Sequence, residues 1–255
     1  MTGTVYLVGA GPGAADLLTL RAARLLAAAD IVLHDALVDP ETLAMAAGAR
    51  LLNVGKRAHR PSTDQSFINR LLVRAAQRHA VVVRLKGGDP MLFGRGQEEI
   101  DACRAANVAV EVVPGVSAGF AAAAGIMASL THRRIARSVA FVTPAVAKGL
   151  DTDERWADAA AAADTAVIYM GKRDAERVRS ALAARGVPLA RPAVVVESAS
   201  LGNGRAFGGA LDDLDVLAGA AGEGPALLLI GDAFARAAAE HRLSELPDAQ
   251  TAAAS

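Results

Sequence analysis

The stretch VVVRLKGGDPMLFGRGQEE, residues 81–99, constrains the chain most. Val81, Val82, Val83 and Leu85 form an apolar, β-branched run that predicts a buried strand. At Lys86 the pattern breaks into Gly87, Gly88, Asp89 and Pro90. It resumes as a helix near Gln97, Glu98 and Glu99, where acidic side chains suit a helix N-terminus. Strand, glycine loop and helix in that order place a ligand at the carboxyl end of an α/β sheet. Adjacent glycines let the backbone approach such a ligand, and Asp89 offers a fixed acceptor beside them. A plain turn between core elements would read the same way, so a second loop of similar design carries weight.

That second loop is Gly9-Ala10-Gly11-Pro12-Gly13, after a short strand at residues 5–8. Asp16 then precedes an amphipathic helix through Leu17, Leu20, Ala23 and Leu26. Further strands at residues 31–33, 51–54 and 109–113 alternate with helical spacing, which predicts a parallel α/β sheet. A boundary falls at residues 116/117, giving an N-terminal domain at 1–116 and a C-terminal domain at 117–235. The second domain alternates strands at 138–143, 165–169, 193–196, 205–208 and 226–230 with helices, and residues 236–255 read as a tail.

Gly9, Gly11 and Ala14 fit the G-x-G-x-x-A dinucleotide fingerprint, and Asp35 closes the next strand where a ribose-binding acid would sit. A nicotinamide-dependent oxidoreductase is therefore one reading. Pro12 opposes it by removing an N–H from the loop that should hold a pyrophosphate.

With 27 basic and 27 acidic residues, the chain has no overall bias toward nucleic acid or membrane. Its cations cluster locally instead. Lys56, Arg57, His59 and Arg60 share one loop, His132, Arg133, Arg134 and Arg137 another, and Arg95 follows the central glycines. Such clusters suit a small molecule carrying several carboxylates. Cys103 is the sole cysteine, which excludes a disulfide within the chain and any multi-thiolate metal site. It reads as a packed core residue. The histidines show no metal-ligand spacing, and no metal is expected. Neither a leader nor a membrane span is read, so a cytoplasmic location is expected.

VYLVGAGPGAADLLTLRAARLLAAADIVLHDALV, VGKRAHRPSTDQ, the 81–99 stretch, VVPGVSAGFAAAAGIMASLTHR and AVIYMGKR occur in the order seen in uroporphyrinogen-III C-methyltransferases. The chain resembles that branch of the tetrapyrrole methyltransferases from about residue 5 to residue 231. The resemblance implies a two-domain class III methyltransferase fold, with an N-terminal largely parallel sheet and a C-terminal mixed sheet. It also implies a homodimer with S-adenosyl-L-methionine held between the domains. Uroporphyrinogen III would be methylated at C2 and C7 to precorrin-2, for sirohaem or cobalamin biosynthesis, releasing S-adenosyl-L-homocysteine. A methyltransferase of a later corrin intermediate is a neighbouring reading.

Carried over by position, Pro12, Gly87, Gly88, Asp89, Leu92, Ser117, Ala118, Met170 and Ala199 would bind the cofactor. Asp35 would accept a proton, and Lys56 would donate one or meet a substrate carboxylate. Arg95, Glu98, Arg133 and Arg134 would face the substrate. Three departures stand out: His34 replaces a common Tyr, Pro144-Ala145 replaces Gly-His, and Ser117 replaces Thr while keeping the hydroxyl.

Overall fold

The computed structural model describes residues 2–55, 64–145 and 154–243. The chain divides into two compact units, Met1–Ala118 and Gly119–Ser255.

In the first unit β1 (Thr4–Gly9), α1 (Leu20–Ala27), β2 (Ile31–His34), α2 (Pro40–Ala44), β3 (Arg50–Asn53), α3 (Gln65–Ala76), β4 (Val81–Lys86), α4 (Gly96–Ala105) and β5 (Ala109–Val113) alternate. The strands pair in the order β3-β2-β4-β1-β5, and every neighbouring pair is parallel. Parallel strands are covered on both faces, so the inner ones read as continuous apolar runs. Accordingly β2 is buried throughout and β4 at every position after Val81, whereas the edge strand β3 is largely exposed. On one face Val5, Leu7, Leu33 and Val82 cluster with Leu72 of α3 and Ile100 and Cys103 of α4. On the other, Val8, Val32, Val83 and Leu85 cluster with Ala22 and Leu26 of α1. Each fully buried Leu here contributes about 1.5–3 kcal/mol relative to exposure.

The strand order fixes where a ligand can sit. The crossover through α3 inserts β4 between β2 and β1, and the crossover through α4 carries the chain past β1 to β5. The loops after β1 and β4 therefore leave the sheet side by side, at the kind of switch point where α/β sheets bind ligands. One local expectation changes. The first helix starts at Leu20 instead of near Asp16, because Thr19 supplies the cap: its Oγ1 accepts from Ala22 N at 3.2 Å. Residues Ala15–Leu17 form a separate 3₁₀ turn.

The second unit begins within α5 (Ala118–Gly125), whose first residue closes the first unit, and continues with β6 (Val139–Val142), α6 (Arg155–Ala162), β7 (Thr165–Tyr169), α7 (Ala175–Ala183), β8 (Pro192–Glu197), β9 (Arg205–Ala210), α8 (Leu214–Ala220), β10 (Ala226–Gly231) and α9 (Ala235–Glu240). Its sheet runs β6-β7-β10-β8-β9 and is mixed: β6 and β7 are parallel, and the other pairs antiparallel. Because β10 opposes both β7 and β8, those two strands end at the same sheet edge. Gly186, at φ 79°, follows the end of α7, where a glycine readily takes the left-handed conformation. The tail expected from residue 236 is corrected by α9. Ala237 and Ala238 are buried there, and Gly208 N donates to His241 O at 2.7 Å. Alanines small enough to lie against a sheet gave no apolar stripe to signal this. Residues 244–255 lie outside the described residues.

Candidate functional site

Three loops meet at the carboxyl edge of the parallel sheet. Gly11 N donates to Gly88 O at 3.3 Å and Gly88 N to Gly11 O at 2.7 Å, tying the β1 loop to the β4 loop. Asp89 adds the β5 loop: its Oδ2 accepts from Gly115 N at 2.9 Å, while its Oδ1 accepts from Met91 N at 2.8 Å. A Cβ on Gly115 would stand 2.3 Å from Gly88 O and 2.8 Å from the Gly9 Cα, so this approach requires glycine. At Gly87, in contrast, a Cβ would meet no atom within 4 Å. That exposed strip of backbone is open on its outer side. Pro12, Gly87, Gly88, Asp89 and Ser117 are thus brought to one edge, and Ala118 follows directly. Leu92 lies farther along the β4 loop, half-buried. This loop carries backbone strain as well: Phe93 and Arg95 have φ of 53° and 55°. Non-glycine residues so held gather at ligand sites. Arg95 and Glu98 form a two-armed ion pair with each other, both contacts 2.7 Å, on the exposed start of α4.

Asp35 sits just beyond β2, its backbone N donating to Leu85 O at 3.3 Å. Its carboxylate is one-third exposed and is held by Arg84, whose Nη2 donates to Oδ1 at 2.6 Å. Arg84 is itself buried in the middle of the sheet. Its Nε donates to Glu99 Oε1 at 3.0 Å, and Lys86 Nζ lies 3.0 Å from Glu99 Oε2. Gln65 Nε2 donates to the same Glu99 Oε1 at 3.1 Å. Glu99 is fully buried. Its place in the first turn of α4 is therefore an ion-pair position, not the solvated N-terminal charge that the sequence implies. Burial disfavours the Arg84 cation, but Asp35 and Glu99 outweigh it and hold its pKa above the ordinary value. Lys86 goes the other way: burial, reinforced by Arg84, pushes its pKa down despite Glu99. Lys56, Arg57, His59 and Arg60 lie outside the described residues.

In the second unit Met170 follows β7 and Ala199 follows β8, so both stand at the same edge of the mixed sheet. Met170 is 53% exposed at φ 56°, which removes it from the core. Ser198 and Ser200, flanking Ala199, have φ of 51° and 71°. Three non-glycine residues in the left-handed region at one edge cost on the order of 1–3 kcal/mol each. Arg133 and Arg134 are exposed in a tight turn closed by hydrogen bonds between His132 and Ala136, 2.9 and 2.8 Å.

Residues 4–215 match the family of tetrapyrrole (corrin/porphyrin) methylases. The chain belongs to that family. It is 45% identical over 234 residues to a siroheme synthase of Zymomonas mobilis, covering 90% of this chain and 49% of that protein. It is 42% identical to a uroporphyrinogen-III C-methyltransferase of Pseudomonas aeruginosa, covering 91% of this chain and 94% of the relative. The fold matches the Thermus thermophilus uroporphyrin-III C-methyltransferase complexed with S-adenosyl homocysteine. There the TM-score is 0.79 at 40% identity, covering 91% and 98% of the two chains. The chain spans about half the length of the siroheme synthases it matches.

Two further ionisable groups in this tetrapyrrole methylase-family chain serve its structure. Cys103 is buried in the first core, and burial together with Glu99 pushes its thiol up to about 11. It is a packing residue and supplies no thiolate at neutral pH. Glu197, at the end of β8, clamps the Ala199 loop: its Oε1 accepts from Gly224 N at 2.9 Å and its Oε2 from Arg205 Nη2 at 2.6 Å. Burial alone would raise the Glu197 pKa, but Arg205 and the amides of Gly222 and Gly224 hold it below the ordinary value. A carboxylate depressed on folding stabilises the protein above its unfolded pKa, and that contribution is lost as pH falls through the folded one. Thermal unfolding followed from neutral to acid pH should therefore show wild type losing more Tm than Glu197→Gln. Parallel losses would exclude the clamp.

Proposed function

We propose that this chain transfers methyl groups from S-adenosyl-L-methionine to uroporphyrinogen III at C2 and C7, giving precorrin-2. The observation that carries the reading is the joined edge of the parallel sheet: glycine loops fastened by Asp89, an open backbone strip at Gly87, and Asp35 beside them. S-adenosyl-L-methionine supplies an electrophilic methyl group when bound. The open side of Gly87 fits a ligand laid against backbone, and Pro12, Gly88, Leu92, Ser117 and Ala118 would line it.

The reduced pyrrole carbon is already nucleophilic, so the chain's first task is alignment. Holding two reactants in register can lower a barrier by about 7–11 kcal/mol. Its second task is to take up the proton lost from the methylated carbon. Asp35 is suited to it, since its carboxylate is fixed by Arg84 yet one-third exposed. Arg133, Arg134 and Arg95, with Lys56, would meet the substrate's carboxylates, and Glu98 would orient Arg95. The same reading includes a homodimer in the cytoplasm.

An anaerobic assay with uroporphyrinogen III and S-adenosyl-L-methionine, read by mass spectrometry, tests the proposal. A product carrying two added methyl groups is expected, with S-adenosyl-L-homocysteine released. Cofactor binding without methylation of this substrate would redirect the reading to a later corrin intermediate.

A further inference from the structure

Arg84 is an unusual occupant of a central parallel strand, because its neighbours on β4 are apolar and buried. Its guanidinium spends its donors on three separate elements. Nε reaches Glu99 Oε1 on α4 at 3.0 Å, and Nη1 reaches the carbonyls of Leu85 at 3.1 Å and Leu33 at 3.4 Å. Nη2 reaches Asp35 Oδ1 at 2.6 Å. Pairing with Glu99 alone would satisfy a core role. The extension to a carboxylate at the open end of β2 has no packing purpose, since Asp35 is one-third exposed and could be hydrated.

We infer that Arg84 is the positioning residue for Asp35, and that the buried Glu99 carboxylate, shared with Lys86 and Gln65, holds Arg84 for that task. The inference rests on the proposed methylation, in which Asp35 takes up the proton. Asp35 follows the last residue of its strand, where the backbone alone leaves its side chain free to rotate. Arg84 removes that freedom by gripping one oxygen and leaves the carboxylate's exposed portion facing outward. A planar fork is required, because one rigid group must satisfy α4, two backbone carbonyls and Asp35 together. Lysine concentrates its donors at one point and cannot span them. Glu99 in turn is fixed from three sides, by Arg84, Lys86 and Gln65, so the fork has a rigid base. Two cations and two carboxylates also leave the buried cluster without excess charge.

The test compares the full chain as wild type, Arg84→Lys, Glu99→Gln, Asp35→Asn and the Arg84→Lys/Asp35→Asn double variant. Arg84→Lys is expected to lower kcat on the order of 100-fold, the scale of a misplaced reacting group. KM for both substrates and calorimetric S-adenosyl-L-methionine binding should stay within about twofold of wild type, since uniform binding is untouched. The double variant should be no slower than Asp35→Asn, because a residue acting through Asp35 has nothing left to position. A merely structural role would instead multiply the two losses. If Arg84→Lys does not fold, Glu99→Gln provides the same reading, with kcat falling at constant KM. Wild-type kcat in a folded single variant, or multiplicative losses in the double, overturns the positioning role. Wild-type protein that methylates no tetrapyrrole offered overturns the underlying activity instead, and the two failures are distinct because the Arg84 ratios require an active parent.

Discussion

Glu99→Leu is expected to destabilise the first unit by about 3–5 kcal/mol, the cost of breaking a buried ion pair from one side. Glu99 is fully buried between Arg84 and Lys86, whose side chains are 3% and 4% exposed. Without it two cations share one partly exposed carboxylate, Asp35, and burial already disfavours the charge on Lys86. Leucine fills most of the space but offers no acceptor, so Gln65 also loses a partner. A loss of this size consumes a large share of the ordinary stability of a domain, about 5–15 kcal/mol. The lone tryptophan, Trp156, belongs to the second unit, so its fluorescence reports on the wrong part of the chain. Hydrogen exchange at the β4 amides under urea is the suitable measurement. Protection within about 1 kcal/mol of wild type would show that the cluster is not the buried, mutually dependent unit described above.

Asp35→Asn is expected to lower turnover by about 10²–10⁴-fold, the usual contribution of a positioned proton acceptor. Asparagine keeps the shape and can still accept from Arg84 Nη2 through its carbonyl oxygen, so the loop after β2 should keep its path. It cannot take up a proton. S-adenosyl-L-methionine binding should be unchanged, because the loops fastened by Asp89 and Gly115 do not depend on Asp35. Single-turnover methylation separates the possibilities. Rapid formation of S-adenosyl-L-homocysteine in the first turnover with slow appearance of the deprotonated product places the loss at proton removal, and wild-type rates throughout would remove Asp35 from the chemistry.

The parallel sheet was legible because its inner strands are buried on both faces. Residues 81–85 and 31–33 read as strands from their apolar, β-branched runs, and the observed β4 and β2 each extend one residue further. Both glycine loops were also visible, since strand, glycine and helix follow one another within a short span. Asp89 was seen as an acceptor at the right place, but its two backbone partners, Met91 and Gly115, were not. One of those partners comes from a loop that only the β1–β5 pairing brings near. Arg84, Lys86 and Glu99 were overlooked for a related reason. Lys86 and Glu99 look like the ordinary ends of elements, a charge closing a strand and an acid opening a helix, and Arg84 stands inside an otherwise apolar run. The available signal was two cations spaced by two in a central strand, which puts both on one buried face.

The sequence by itself determined the element types and their order in the first unit, the glycine loops and the family, because these depend on local periodicity and on residues adjacent in the chain. Tertiary structure alone decided which loops meet, since β4 lies beside β1 only through the crossover from β3. It also decided that Arg84 grips Asp35 across 49 residues and that Glu99 lies in the interior. The spacing of Arg84 and Lys86 puts both on one face of a strand, but which carboxylates meet them there is set by what the fold packs around that face.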